Sequence, residues 1–299
     1  MNCNKISANE FQILTLLEEN GKKFSQRELA KKLQLSLGKI NSLLSEMEAK
    51  GFVSKGTITN EGLAALEPYR VKRVIFLAAG FGSRLIPVTL NTPKALIRVK
   101  GQRIIDSMID VFISNGIEEI YIVRGHLGEQ FNQLLEKYPN IKFIENPIYN
   151  ESNNISSAYY AKDLLENAYI CEADIILKNP SLIKKYQYTS NYCGVKCDVT
   201  DDWCLFTNKG KISGVSVGGK NGYRMVGISY WTHEDGKLLS TKIDEIFNQP
   251  GGREKYWDDV PLSCFISDFN LYIRECSFDD FVEIDTFNEL KAVDSVYAS

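Results

Sequence analysis

The sequence has little of what several classes of protein require. Its 299 residues contain only two histidines, His126 and His233, which argues against a histidine-rich metal site and against catalysis by a histidine pair. The seven cysteines are odd in number and none are spaced as C-x-x-C, which argues against a disulfide framework and a standard zinc module. There is no apolar run of about 18 residues, as a membrane span would need, and no signal-peptide pattern. These absences predict a cytoplasmic protein with no membrane contact.

Charge and composition exclude further classes. The formal net charge is −3, so the protein is not a polycation built to coat nucleic acid. Hydrophobic residues make up 44% and charged residues 24% of the chain, which is ordinary for a globular protein with a substantial core. At about 150 residues per domain, the length suggests one large domain or two.

Residues 1–69 predict a winged helix-turn-helix domain. Apolar residues follow one helical face from Ala8 to Glu19, and Ser25 with Glu28 forms a capping box that opens a second helix. A third helix starts at Ser36, and short strands within residues 52–59 precede a further helix. Short helices followed by a small hairpin are the plan of a winged helix.

The function of this domain stays open at the level of sequence. A local basic cluster is compatible with contact to a DNA backbone, and its members are Lys22, Lys23, Arg27, Lys31, Lys32 and Lys39. The third helix, which would face DNA in this plan, offers no arginine for guanine. A winged helix also serves in dimerisation or docking, so DNA contact and dimerisation through residues 1–69 are both retained as hypotheses.

Residues 70–299 predict an α/β domain with a doubly wound, mixed but mainly parallel sheet. Val74 to Leu77 is a near-continuous apolar strand of the kind buried in parallel sheets. Helices and strands alternate after it, with helices over 104–113, 129–137 and 153–165 and strands over 118–123, 141–145 and 169–177. After Pro180 the pattern predicts shorter strands that cover the open side of the sheet. Glycine-rich turns are expected to join them, at Gly210, Gly214, Gly218, Gly219 and Gly222.

The strongest chemical signal is a glycine loop directly after the first strand of this domain. Leu77 to Leu85 reads LAAGFGSRL, and Pro93-Lys94 follows. Glycine lets the backbone approach a phosphate and point N–H groups at it, and Arg84 offers a bidentate phosphate ligand. The third glycine of a dinucleotide fingerprint and the Gly-Lys-Ser/Thr of a Walker A loop are both missing. The predicted nucleotide-binding residues are Leu77, Ala78, Ala79, Gly80, Gly82, Ser83, Arg84 and Lys94.

These motifs resemble those of the nucleotidyltransferases that make nucleotide-activated sugars and alcohols, most nearly the bacterial CTP:phosphocholine cytidylyltransferases. The resemblance covers most of the chain after Arg73 and rests on Leu77–Leu85, Thr92–Leu96, Glu172–Asp174, Tyr256–Asp258 and Glu283–Asp285. It implies a Rossmann-like fold. It also implies Mg²⁺-dependent transfer of CMP from CTP to phosphocholine, or to a close amino-alcohol phosphate or phosphonate, with release of pyrophosphate.

The resemblance also implies roles for individual residues. Lys94 would act at the α-phosphate and Arg84 on the β- and γ-phosphates, as the catalytic pair. Asp174 and Asp285 would hold Mg²⁺, which prefers oxygen ligands. Asp285 could instead cap the C-terminal helix, and Asp258 is an alternative metal ligand.

The acceptor site is predicted from aromatic and acidic residues in the second half of the chain. A quaternary ammonium is best met by aromatic faces together with a carboxylate. Trp203, Tyr256 and Trp257 supply the faces and Asp258 the carboxylate. Asn154 lies in a polar turn that the family directs towards the nucleotide or the acceptor.

Two other functions are weighed against this prediction. A sugar-1-phosphate nucleotidyltransferase would usually carry a Gly-Thr-Ala segment near residue 155, which this chain lacks. A DNA-binding regulator whose second domain only senses nucleotide would not need the full set of Arg84, Lys94 and Asp174. The sequence leaves the nucleotide base and the oligomeric state open.

Overall fold

The computed structural model describes residues 5–20 and 23–298, so Lys22 of the predicted basic cluster lies outside it. The chain divides into two units. One comprises the described residues up to Arg70 together with Tyr186–Tyr188, and the other comprises Val71–Lys185 and the residues from Thr189 onward. The sequence offered no sign that Tyr186–Tyr188 belong to the first unit. Among the described residues, no helix is both long enough and apolar enough to cross a membrane.

The first unit has the predicted winged-helix elements. They are α1 (Ala8–Asn20), α2 (Gln26–Leu33), α3 (Leu37–Ala49), β1 (Val53–Ser54), β2 (Thr57–Ile58) and α4 (Asn60–Leu66). The capping box at α2 is present, because Glu28 N donates to Ser25 Oγ and Ser25 N donates to the Glu28 carboxylate. The apolar faces of the helices enclose a core around Leu14, Leu29 and Ile40.

The second unit is built on a central sheet. Its strands are β3 (Arg73–Ala78), β4 (Arg98–Val99), β5 (Gln102–Arg103), β6 (Glu119–Arg124), β7 (Lys142–Glu145), β8 (Ala168–Glu172), β9 (Ile175–Leu177), β10 (Asn191–Asn208), β11 (Lys211–Trp231), β12 (Tyr272–Cys276) and β13 (Phe281–Glu283). Its α-helices are α5 (Ile104–Ser114), α6 (Ile155–Tyr160), α7 (His233–Phe247) and α8 (Phe287–Val293).

The central sheet has the order β10-β12-β11-β8-β3-β6-β7. Four adjacent strands are parallel to one another, in the order β8-β3-β6-β7. Strand β11 is antiparallel to β8. Along β3, Val74 and Phe76 pack in the core cluster that contains α5, while Ile75 packs in the cluster that contains α6 and α7. Both faces of β3 are therefore buried, and the predicted mixed, mainly parallel α/β fold is confirmed.

The strand predicted over 169–177 is interrupted. β8 ends at Glu172, and β9 leaves the central sheet to pair with β13. Asp174 therefore lies just beyond the carboxyl end of a central strand, and its Oδ2 accepts a hydrogen bond from Lys94 Nζ. The helix predicted over 129–137 is a 3₁₀ segment, and the helix predicted over 153–165 already ends at Tyr160.

The prediction of shorter strands after Pro180 holds for β12 and β13, which have five and three residues, but is wrong for β10 and β11. β10 and β11 are 18 and 21 residues long and pair antiparallel across a turn at Lys209 and Gly210. Gly210 lies in that turn as predicted, but the other glycines assigned to turns lie inside β11, namely Gly214, Gly218, Gly219 and Gly222. A Cβ on Gly222 would come within 2.5 Å of Cys204 Sγ, and one on Gly219 within 2.7 Å. These glycines let the strands approach closely.

Candidate active site

The loop after β3 has a conformation that favours glycine at position 82. The φ angle of Gly82 is +61°, in the left-handed region, and a Cβ there would lie 2.9 Å from Thr89 Cγ2 and 3.3 Å from Lys94 Cβ. Thr89 Oγ1 donates to Gly82 O at 2.9 Å. This bond folds the chain back, so that Lys94 returns to the loop.

One cleft of about 1210 Å³ gathers nearly all of the predicted site residues. From the nucleotide prediction it is lined by Leu77, Ala78, Ala79, Gly80, Gly82, Ser83, Arg84 and Lys94. From the metal and acceptor predictions it is lined by Asp174, Asp285, Asn154, Trp203, Tyr256 and Asp258. The exception is Trp257, which does not reach it.

Lys94 is held between two carboxylates. Its Nζ lies 2.7 Å from Asp174 Oδ2 and 2.8 Å from Asp285 Oδ1, and Arg84 donates to the same Asp285 oxygen at 2.8 Å. Burial by itself would lower the pKa of Lys94, but the charges of Asp174 and Asp285 outweigh it and raise that pKa. Burial opposes ionisation of Asp285 as well, yet Lys94 and Arg84 hold its pKa below the ordinary value. The lysine is therefore a fixed cation at the mouth of the glycine loop.

Three carboxylates meet beside this lysine. One oxygen from each of Glu172, Asp174 and Glu283 lies within 4.8 Å of the others. Within the described residues, Asp174 Oδ1 is buried and has no hydrogen-bond partner. Burial and the charge of Asp174 raise the pKa of Glu283 to about 7, against the opposing charge of Arg224. Because crowded, largely enclosed carboxylates are costly and hard oxygens suit Mg²⁺, these partly buried residues fit a divalent cation.

This carboxylate group differs from the predicted metal pair of Asp174 and Asp285. The Asp285 side chain is directed to Lys94 and Arg84, whereas Glu172 and Glu283 flank Asp174. Nor does Asp285 cap α8, since Thr286 is its N-cap. The sequence did contain a signal for the two glutamates. Glu172 precedes Asp174 by two residues and Glu283 precedes Asp285 by two, each pair lies at a strand end, and strand residues i and i+2 share a face.

Two aromatic rings remain at the acceptor end of the cleft. Trp203 and Tyr256 meet edge to face, with ring centroids 5.7 Å apart and an interplanar angle of 81°. The prediction for Trp257 is corrected, because this ring is only 3% exposed and packs against Tyr192 and Trp231 in the core. With so little of its surface exposed, the ring is not available to a ligand. Its backbone N–H donates to Asn154 Oδ1 at 2.9 Å, so Asn154 fixes the turn that presents Tyr256.

Asp258 is a buried carboxyl at the same end. It is 4% exposed, and Tyr192 Oη donates to its Oδ1 at 3.0 Å. Burial raises the pKa of Asp258 to about 7, with a further contribution from the charge of Asp259 and an opposing one from Tyr192. Burial and the charge of Asp174 raise the pKa of Glu172 well above its ordinary value, and the charge of Asp258 adds to that rise.

The titration of Asp258 should appear in the pH dependence of stability. Its pKa is about 7 in the folded chain against an ordinary 3.8, so between these values the folded state binds the proton more tightly than the unfolded state. Asp258 therefore lowers the free energy of unfolding as pH rises from about 4 to about 7. In urea unfolding at pH 5, 6 and 7.5, we expect Asp258→Asn to reduce this slope by up to about 1.4 kcal/mol per pH unit.

The control for this experiment is Asp279→Asn, at an exposed turn. It should keep the parental slope. Equal slopes in the parent and in Asp258→Asn would show that Asp258 is ionised in the folded chain throughout this range.

Sequence reasoning missed Arg224 in the cleft. This side chain projects from β11, donates from Nε to Asp202 Oδ2 at 3.1 Å and donates from a terminal nitrogen to Glu283 Oε2 at 2.7 Å. No motif surrounds it in the sequence. Only the pairing of β11 with β8 in the folded sheet brings Arg224 to the cleft.

In the first unit, α3 presents Lys39, Asn41 and Ser42 to solvent. Residues 6–54 match the family model of winged helix-turn-helix DNA-binding domains. DNA contact or dimerisation through this unit stays a prediction.

Residues 73–202 match the family model of nucleotidyl transferases. The 2-aminoethylphosphonate cytidylyltransferase of Lancefieldella rimae is 37% identical over 227 residues, which are 75% of this chain and 92% of that protein. The choline-phosphate cytidylyltransferase of Streptococcus pneumoniae is 31% identical over 227 residues, which are 75% of this chain and 97% of that protein. The solved structure of the CTP:phosphocholine cytidylyltransferase from S. pneumoniae superposes with a TM-score of 0.70, covering 76% of this chain and 99% of that chain at 31% identity.

Proposed function

Because this chain belongs to the nucleotidyltransferase family, among the cytidylyltransferases for phosphate-bearing amino-alcohol and phosphonate substrates, we propose that it transfers CMP from CTP to a small acceptor with a cationic amine at one end and a phosphate or phosphonate at the other. Phosphocholine, phosphoethanolamine and 2-aminoethylphosphonate have this form. One observation carries the proposal: a single cleft joins the glycine loop with Arg84 and Lys94 to Trp203, Tyr256 and Asp258.

The proposed reaction needs no nucleophile from the protein. An oxygen of the acceptor's phosphate or phosphonate attacks the α-phosphorus of CTP, and the bond from that phosphorus to the bridging oxygen breaks, with its electron pair leaving on pyrophosphate. Positioning and charge neutralisation are what such a transfer requires. The amides of the glycine loop and Arg84 would hold the β- and γ-phosphates, while Lys94 would place its charge at the α-phosphate.

We also propose Mg²⁺ as the cofactor, held by Asp174 with Glu172 and Glu283. The support is the unpartnered Oδ1 of Asp174 and the convergence of three carboxylates on it. When bound there, the ion would neutralise phosphate charge and fix the phosphate oxygens in place. The protein supplies the oxygen ligands, and the two salt bridges of Lys94 hold that side chain beside them.

The amine end of the acceptor would lie at Trp203 and Tyr256. Aromatic faces attract a quaternary or primary ammonium, and the carboxyl of Asp258 adds the opposite charge when ionised. A sugar phosphate offers no cation to these groups, so this end of the cleft supports an amino-alcohol acceptor over a sugar.

Pyrophosphate release tests the proposal directly. The purified chain would be incubated with Mg²⁺ and each of CTP, UTP, ATP and GTP, against phosphocholine, phosphoethanolamine, 2-aminoethylphosphonate and glucose 1-phosphate. We expect release only with CTP and an amino-alcohol phosphate or aminoalkylphosphonate, and none without acceptor or with EDTA. Release only with glucose 1-phosphate would overturn the assignment of the acceptor end. Silence in every combination would favour a nucleotide-sensing regulator.

A further inference from the structure

The cationic side chains of the cleft divide into two places. Among the described residues, those that line the cleft are Arg84, Lys94 and Arg224. Arg84 and Lys94 meet at one oxygen of Asp285 beside the glycine loop, whereas Arg224 pairs with Asp202 and Glu283. The proposed reaction brings two anions together, the triphosphate and the acceptor's phosphate or phosphonate. Each anion needs a cation of its own, since like charges at contact distance repel strongly.

The sheet places Arg224 on the far side of the carboxylates from the glycine loop. β3 and β11 flank β8 on opposite sides, and the loop follows β3. On β11, Gly227 lies against Glu172, because a Cβ there would come within 2.8 Å of the Glu172 carboxylate. Since β11 is antiparallel to β8, Arg224 lies further along in the direction in which β8 ends. Arg224 is therefore beside the acceptor end of the cleft.

Arg224 also has donor capacity left for a ligand. A guanidinium carries five N–H donors, and those of Nε and one terminal nitrogen face Asp202 and Glu283. The other terminal nitrogen has no hydrogen-bond partner within the described chain, and it is not fully buried, in a side chain that is 22% exposed. The two carboxylates orient the guanidinium, and the open edge remains for phosphoryl oxygens.

We propose that Arg224 binds the phosphate or phosphonate of the acceptor, and that Asp202 sets the distance from this contact to Trp203. The inference rests on the proposed function. Asp202 Oδ2 accepts from Arg224 Nε at 3.1 Å, and its Oδ1 accepts from the backbone N–H of Trp203 at 2.7 Å. One carboxylate thus contacts both the guanidinium of Arg224 and the backbone from which the Trp203 ring projects. The spacing between them selects the length of the chain that joins amine to phosphorus in the acceptor.

The first test compares Arg224→Gln and Arg224→Lys with Lys220→Gln, a matched control at an exposed position of the same strand that does not line the cleft. We expect Arg224→Gln to raise KM for the acceptor at least about tenfold while KM for CTP changes less than about twofold, because a charge-assisted contact to one substrate is lost. Arg224→Lys should recover part of that loss, and Lys220→Gln should match the parent. A rise in KM for CTP instead, or an unchanged KM for the acceptor, would overturn the inference.

The second test uses Asp202→Asn and acceptor length. The acceptor that the parent uses best is compared with homologues that are one methylene shorter and one longer. We expect the parent to prefer one length, and Asp202→Asn to reduce that preference at least about threefold, because the aromatic and anion contacts are no longer held by one charge. A purely structural role would lower kcat for all three acceptors alike and leave their ratios unchanged, which would contradict the assignment of Asp202.

The outcomes separate this inference from the proposed function. If the parent releases no pyrophosphate with CTP and any amino-alcohol phosphate or aminoalkylphosphonate, or releases it without an acceptor, the proposed function fails before any variant is made. If the parent is active and only the expectations for the Arg224 and Asp202 variants fail, the proposed function stands and the inference is wrong.

Discussion

Lys94→Ala is expected to lower kcat about 10³-fold, because it removes the cation placed at the α-phosphate, where charge shifts during transfer. Binding of CTP should change little, since Arg84 and the loop amides remain. Single-turnover pyrophosphate release gives the rate, and calorimetry with CTP gives the affinity. Lys178→Ala, at an exposed position, is the control and should match the parent.

Lys94→Ala also tests how the apo cleft is held together. Without the lysine, the buried Asp174 and the half-buried Asp285 lose the ammonium that now lies 2.7 and 2.8 Å from their carboxylates, and only Asp285 keeps a cation, Arg84. We expect the free energy of unfolding to fall by about 3 kcal/mol, as when one partner of a buried ion pair is removed. Lys94→Arg keeps the charge and should fold normally while losing turnover through its different geometry. A folded Lys94→Ala variant with kcat within tenfold of the parent would remove Lys94 from the reaction.

Asp174→Asn is expected to lower kcat/KM by about 10²- to 10³-fold and to raise sharply the Mg²⁺ concentration that the reaction needs, because it removes the charge of the central proposed ligand. The asparagine keeps the shape of the side chain and an acceptor oxygen for Lys94. Mg²⁺ titration of pyrophosphate release measures the first effect. Calorimetry with Mn²⁺ in the absence of nucleotide measures ion binding without turnover.

Neighbouring acids show which of them complete the proposed site. Asp279→Asn, at the exposed turn, is the control and should behave as the parent. Glu283→Gln should weaken Mn²⁺ binding more than Asp285→Asn, because Glu283 lies in the carboxylate group and Asp285 faces Lys94 and Arg84. The reverse order would restore the pair of Asp174 and Asp285 predicted from sequence. Undiminished Mn²⁺ binding in Asp174→Asn would exclude this carboxylate as a ligand.

Features that depend on neighbouring residues in the chain could be predicted from sequence. The capping box at Ser25 and Glu28 is local chemistry, and so are the buried strand at Val74 to Leu77 and the glycine loop after it. The cleft brings together Arg84, Lys94, Asp174 and Asp285, which the sequence had placed in one site on the strength of family resemblance. Their chemical roles stay predictions.

Features that depend on distant pairing could not be predicted. Trp257 looks in sequence like its neighbour Tyr256, but only the fold brings Tyr192 and Trp231 against its ring. Arg224 lies in an unremarkable stretch and reaches the cleft because β11 pairs with β8. The role of a glycine is ambiguous in sequence for the same reason. Gly219 and Gly222 are typical of turns, and only the folded hairpin shows that they make room for Cys204.

The long hairpin of β10 and β11 constrains which insertions and deletions the chain can accept. Successive residues of a strand point to opposite faces, so deleting one residue between Trp203 and the turn would send Trp203 to the other side of the hairpin. The same deletion would shift Gly219 and Gly222 away from Cys204 and set a side chain where no room exists. Extra residues are accommodated at Lys209 and Gly210, where the turn is exposed or half-exposed. The residues at the acceptor end of the cleft can thus change by substitution. The number of residues in β10 and in β11 between this end and the turn cannot change.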